Sequence, residues 1–82
     1  MNSERSQDRD FNHLIATQYS QLTKSEKRIA DFMRRRQDEA AFLSAAEIAD
    51  RLGLSEATMV RFARALGFNS YPALREALQD NF

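Results

Sequence analysis

Two arginines three residues apart, Arg61 and Arg64, stand in a short run with Ser55, Glu56, Ala57, Thr58 and Val60. A guanidinium presents a planar fork of donors that matches a guanine edge or a phosphate oxygen pair. Ser55 offers a hydroxyl where a helix can begin, so it and the adjacent backbone N–H groups could grip an anion. Ala57 and Val60 are small and apolar, suited to close approach and to contact with a thymine methyl. With no histidine, cysteine or second carboxylate in this set, it does not read as a catalytic group; it is the chemistry of recognising phosphates and base edges.

These residues need a helix that holds them on one face. At roughly 100° per residue, Met59, Phe62, Ala63 and Leu66 form an apolar stripe. The opposite side carries Ala57, Arg61 and Arg64, with Thr58 and Val60 at its margins. Ser55 is placed to cap this helix, and Glu56 suits the positive end of its dipole. Before it, Ser44 and Glu47 stand three apart as a capping box, with Leu43 and Ile48 at the spacing of a hydrophobic staple. Leu54 and Met59 repeat that spacing. Gly53 sits where the first apolar stripe, Ile48, Ala49 and Leu52, stops, and glycine takes the left-handed turn without steric cost. Two capped helices around a glycine turn are the pattern of a helix-turn-helix. Its second helix would enter a DNA major groove. Exposed arginines are most often plain solvated charges; the capped pair around them shifts the balance to recognition.

The run LTKSEKRIADFM from Leu22 to Met33, then LSAAEIADRLGLSEATMVRFARALGF and SYPALREAL, resembles the N-terminal DNA-binding domain of the RpiR family of bacterial transcriptional regulators. The resemblance covers about Leu22 to Leu78. Its most specific part is Ser55-Glu56-Ala57-Thr58 with Arg61-Phe62, then Leu66-Gly67-Phe68 and Tyr71. It implies that Ser55, Thr58, Arg61 and Arg64 make the principal contacts to double-stranded operator DNA, with Glu56 and Ala57 close to the bases. It also implies a role in sugar or central carbon metabolism; a homodimer is expected because one such helix covers only a few base pairs, and a cytoplasmic setting because neither a membrane span nor a signal peptide is evident. Family members often carry a lysine and a glycine where this chain has Asn69-Ser70, so a phosphate contact from that loop does not carry over. They also continue into a sugar-isomerase-like domain that binds a phosphosugar effector, for which these 82 residues have no counterpart. A DNA-binding fragment, or a member without its sensor, is the expectation.

Composition bounds the alternatives. The formal charge is zero, from 12 Lys+Arg against 12 Asp+Glu, which is weaker support for nucleic-acid binding than a basic domain would give. The excess is local: Lys24 to Glu39 holds six basic and four acidic residues, and Glu56 to Leu66 two and one. Non-specific affinity should therefore be weak and readily lost with salt. There is no cysteine and a single histidine, His13, so neither a disulfide framework, a Cys-ligated metal site nor a cofactor is expected. No apolar run approaches the ~20 residues of a membrane span, and no signal peptide is evident. An enzyme is remote, lacking a phosphate loop or a carboxylate pair in an apolar setting. The competing class is a helical protein-interaction module using the same surface. A protein-docking face would want an apolar anchor larger than Val60.

The remaining elements read as supports. Residues 1–10 are polar and are expected to form a flexible tail, and 11–82 the helix-turn-helix domain. Phe11, Leu14, Ile15, Tyr19 and Leu22 fall at helical spacing behind Asp10, facing either the core or a dimer partner. Thr23 and Glu26 form a capping box for a helix with Ile29, Ala30, Phe32 and Met33 inside. Its end carries Arg34-Arg35-Arg36, which the helix dipole accounts for, with a phosphate contact as the sharper possibility. Ala40, Ala41, Phe42 and Leu43 are expected to plug the core as a short helical turn. Ser70 caps a last helix with Pro72 in its first turn and Tyr71, Leu74 and Leu78 inside. Arg75 is expected to be exposed and reads as a solvated charge in preference to a phosphate contact, which it could also reach. The fold is expected to be all-α, with about five helices and a homeodomain-like three-helix core.

Overall fold

The computed structural model describes residues 3–80. It contains six α-helices and no strand among those residues. They are α1 (Ser3–Gln18), α2 (Lys24–Arg35), α3 (Gln37–Phe42), α4 (Ala45–Leu52), α5 (Glu56–Ala65) and α6 (Tyr71–Gln79), with a 3-10 turn at Tyr19–Gln21. The all-α expectation holds, and the short turn before Ser44 is a helix in its own right, α3.

Two expectations change. Helix α1 starts at Ser3, not behind an Asp10 cap, because no glycine or proline interrupts the backbone there. Of the expected tail, Met1 and Asn2 lie outside the described residues. In α3, Ala40 and Ala41 are fully buried as expected, but Phe42 is 76% exposed. Phe42 closes α3, and the chain turns extended at Leu43, which packs on the core in its place.

Every helix contributes to one apolar cluster. Phe11 and Ile15 of α1 lie in it, so that helix covers the core. Its end is tied to α2 by the Tyr19 hydroxyl donating to Asp31 at 3.1 Å, with Lys27 over the Tyr19 ring. Ile29 and Met33 of α2, Ile48 of α4, Met59 and Phe62 of α5, and Leu74 and Leu78 of α6 are fully buried. Helix α6 packs on α3 over the small Ala40 and Ala41. Gln79 Nε2 donates to the Ala41 carbonyl at 2.9 Å there.

The capping boxes form as the spacing predicts. Thr23 Oγ1 accepts from the Glu26 N–H at 3.2 Å while Glu26 Oε1 accepts from the Thr23 N–H at 2.9 Å. Ser44 and Glu47 make the same exchange at 3.1 and 2.8 Å. The backbone and hydroxyl bonds from Ser44 hold the Glu47 carboxyl below its ordinary value of 4.5, with smaller help from Arg51 and Arg75. A depressed carboxyl adds stability above its unfolded pKa and loses it as pH falls through the folded one. Thermal melting followed downward from pH 5 should therefore show an acid-sensitive component that Glu47→Gln abolishes.

Both helices of the turn motif end in the same way. Gly53 has φ +69°, its N–H bonds to Asp50 O, and the Leu54 N–H returns to Ala49 O at 2.8 Å. Gly67 has φ +99°, with Gly67 N–H to Arg64 O and Phe68 N–H to Ala63 O. These are Schellman stops, in which the left-handed residue lets the next N–H reach back five residues. A Cβ on Gly53 would meet nothing within 4 Å, so the cost of Gly53→Ala is conformational alone. It should destabilise by about 1–2 kcal/mol in urea titration, and Gly53→Asn, which tolerates this backbone region, should recover much of the loss.

Candidate nucleic-acid interface

Helices α4 and α5 pack against each other across the Gly53 turn, and α5 also rests on α2 and α6. That three-sided support leaves one side of α5 uncovered. Met59, Phe62, Ala63 and Leu66 are buried, and Glu56, Ala57, Arg61, Arg64 and Ala65 are exposed. The division of faces follows the periodicity of the sequence. Val60 is half-buried at one margin of the exposed face, toward α6, where it lines a groove with Arg64 and Tyr71.

The other margin departs from expectation. Thr58 is only 9% exposed, and its hydroxyl is engaged twice inside the helix. Thr58 Oγ1 lies 2.9 Å from Ser55 Oγ and accepts from Arg61 Nη2 at 3.3 Å. Ser55 Oγ also caps the helix by accepting from the Thr58 N–H at 3.2 Å. One proton arrangement satisfies all three groups. Arg61 donates to Thr58, Thr58 donates to Ser55, and the Ser55 proton is left to point at an acceptor outside. The face thus has an ordered edge, with an exposed hydroxyl donor at the positive end of the helix dipole and a guanidinium steered by Thr58. Thr58 is placed to position Arg61, and contact of its own with a ligand would require these bonds to open.

Among the described residues neither Arg61 nor Arg64 forms a salt bridge. Two other arginines differ. Arg36 pairs with Glu39 at 3.4 Å, and Arg51 of α4 pairs with the same carboxylate. Seven residues singled out in the sequence, Ser55, Glu56, Ala57, Thr58, Val60, Arg61 and Arg64, are therefore brought together on a single helix and its cap, with Thr58 inward of the rest.

Arg75 is the residue that periodicity misplaced. It is half-buried, donates to the Leu43 carbonyl at 3.4 Å, and lines the groove beside α5 together with Arg64.

Among the described residues no group of His, Asp and Glu side chains could hold a metal, and no helix is long and apolar enough to cross a membrane.

The pattern of the family described as "Helix-turn-helix domain, rpiR family" matches residues 10–82. The chain is 36% identical over 66 residues to the uncharacterized HTH-type transcriptional regulator YfhH of Escherichia coli K12, covering 80% of this chain and 23% of that protein. It is 47% identical over 57 residues to an uncharacterized HTH-type transcriptional regulator of Haemophilus influenzae Rd, covering 70% of this chain and 20% of that protein. The chain thus spans a quarter or less of the length of these relatives. No solved structure matches.

Proposed function

Since this chain belongs to the rpiR family of helix-turn-helix domains, we propose that it binds double-stranded DNA sequence-specifically, as the DNA-binding domain of a bacterial transcriptional regulator. The carrying observation is the uncovered side of α5, where Ala57, Arg61 and Arg64 face outward beyond a capped N-terminus while three helices hold the opposite side. The N-terminal turn is small enough to approach the floor of a major groove, and the arginines follow at the depth of base edges.

In this mechanism the Ser55 hydroxyl and the first-turn N–H groups of α5 take a backbone phosphate. Arg61, steered by Thr58, and Arg64 read bases, and Ala57 and Val60 supply apolar contact. One helix covers only a few base pairs, so specificity requires a homodimer on two half-sites roughly 34 Å apart. In a polypeptide of the relatives' length, a sugar-isomerase-like domain binding a phosphosugar would modulate that dimer, placing the regulator in sugar or central carbon metabolism in the cytoplasm. The domain itself performs no reaction in this scheme and needs no cofactor.

Selection of random duplex DNA by the chain at two salt concentrations tests the proposal. A paired or palindromic motif should be enriched, more sharply at the higher salt, where non-specific binding falls away. Absence of enrichment from a folded chain, repeated with the chain fused to a dimerising coiled coil, would overturn it.

A further inference from the structure

The one large apolar side chain exposed among the described residues is Phe42, at the end of α3. It lines a concavity of about 800 Å³ with Arg35 and Arg36 from the α2–α3 junction and Asp38 and Glu39 of α3. We propose that this surface is where a second copy of the chain docks when two copies occupy adjacent half-sites, the Phe42 ring of each lying against the concavity of the other; the inference rests on the DNA-binding reading above.

Charge identifies the occupant. The concavity carries two arginines and two carboxylates, a net of zero. Arg36 and Glu39 answer each other, and Arg51 of α4 shares that carboxylate. Arg35 and Asp38 form no salt bridge among the described residues, so one positive and one negative group stand open beside the ring. A partner of a single sign would be repelled by one of them. A second copy related by a twofold axis sets Arg35 against the partner's Asp38 and Asp38 against the partner's Arg35, the self-complementarity that such an interface requires. An aromatic anchor rimmed by charge is also the composition of a contact centre.

The rest of the fold leaves this role to α3. Helix α1, the other candidate for a dimer contact, turns Phe11 and Ile15 into its own core, with Leu14 and Tyr19 packed against it. The Phe42 ring lies two residues before Ser44, which borders the groove beside α5, and Glu39 is joined to α4 through Arg51. The surface therefore flanks the helix-turn-helix and shares no residue with the exposed face of α5, which stays free for the duplex. Its size sets its strength. One ring and one pair of charges per copy fall well short of the roughly 800 Å² per partner of a stable interface. The contact therefore does not hold a dimer in dilute solution; it acts when the duplex keeps two copies within reach, at a roughly millimolar effective concentration.

The test is binding of the chain to duplexes carrying one selected half-site or two at the selected spacing, with one-copy and two-copy complexes resolved by gel shift, sedimentation velocity of the free protein and melting of each variant. The free chain should sediment as a monomer. On paired sites the second copy should bind roughly ten- to hundredfold more tightly than a copy on a single site, the range expected for burying an aromatic ring. Phe42→Ser should bind the single site as the unaltered chain does, melt no lower, and lose the cooperativity. Inserting about five base pairs between the half-sites, half a helical turn, should abolish it too. Arg35→Asp and Asp38→Arg should each lose it alone, and an equimolar mixture of the two should regain it, because each then meets the opposite charge in the other; a merely structural defect would not be repaired by mixing. Cooperativity retained by Phe42→Ser, or no recovery in the mixture, would overturn this surface and leave DNA binding standing. Independent binding of two copies by the unaltered chain, or selection of unpaired half-sites only, would do the same and leave the ring to a different partner. No binding of any duplex by the unaltered chain would overturn both readings.

Discussion

Phe62→Ala is expected to remove about 3–5 kcal/mol of folding stability. Phe62 is the largest of the fully buried side chains and lies on α5, where that helix meets α2, α4 and α6. Its neighbours on the same face, Met59, Ala63 and Leu66, are buried too, so collapse into the space left by the ring is limited. A chain of this length holds on the order of 4–12 kcal/mol in all, so the substitution leaves a domain that is barely folded or unfolded at 37 °C. Urea unfolding followed by far-UV circular dichroism would show the midpoint fall, with Phe62→Leu losing much less because most of the volume stays filled. DNA binding should disappear with Phe62→Ala and survive Phe62→Leu. A midpoint unchanged in Phe62→Ala would mean that the core is not organised around this ring.

Arg61→Ala is expected to cost about 1–3 kcal/mol of binding to a selected duplex, while folding stability changes by no more than about 0.5 kcal/mol. The side chain is exposed, and its described bond within the chain is the one to Thr58. The loss should concentrate on the cognate sequence and spare an unrelated duplex, because a base contact discriminates and a phosphate contact does not. Thr58→Val should lose part of the same specificity: it keeps the shape of the threonine and removes the acceptor that steers the guanidinium. Fluorescence anisotropy with the selected and unrelated duplexes separates the cases. An equal loss on both would reassign Arg61 to the backbone, and no loss on either would remove it from the interface.

These effects divide along a line that runs through the chemistry of the chain. Apart from the start of α1, which no glycine or proline delays, the local features were legible in advance. Ser44 and Glu47, Thr23 and Glu26, and Ser55 each cap the helix that their spacing announces. The two glycines stop α4 and α5 in the left-handed conformation, since no other residue type takes it at so little cost. The buried face of α5 was equally readable, because one turn of helix fixes which residues share a side. The family, too, was legible in the joint spacing of Ser55 to Tyr71, and the match over residues 10–82 agrees with it.

Where prediction slipped, the deciding quantity was non-local. Phe42 has the character of a core residue, yet α3 ends on it with the ring in solvent, because α6 claims the Ala40 and Ala41 side of that short helix. Thr58 stands at the edge of the recognition face by periodicity, and the packing of α5 on its neighbours turns that edge inward. Arg75 looks like a surface charge along α6, but the crossing of α6 near α4 and α5 brings it into a groove with Arg64.

The sequence by itself determined the helices, their caps, the glycine turn and the residue types offered by α5, because backbone hydrogen bonds and 3.6-residue periodicity act within a few neighbours. Only the tertiary structure decided which of those residues are ordered for contact. The burial of Thr58, the burial of the Tyr71 hydroxyl and the placing of Arg64 and Arg75 along one groove depend on how separate helices are laid against one another, and that is set by the shared core and not by any single segment.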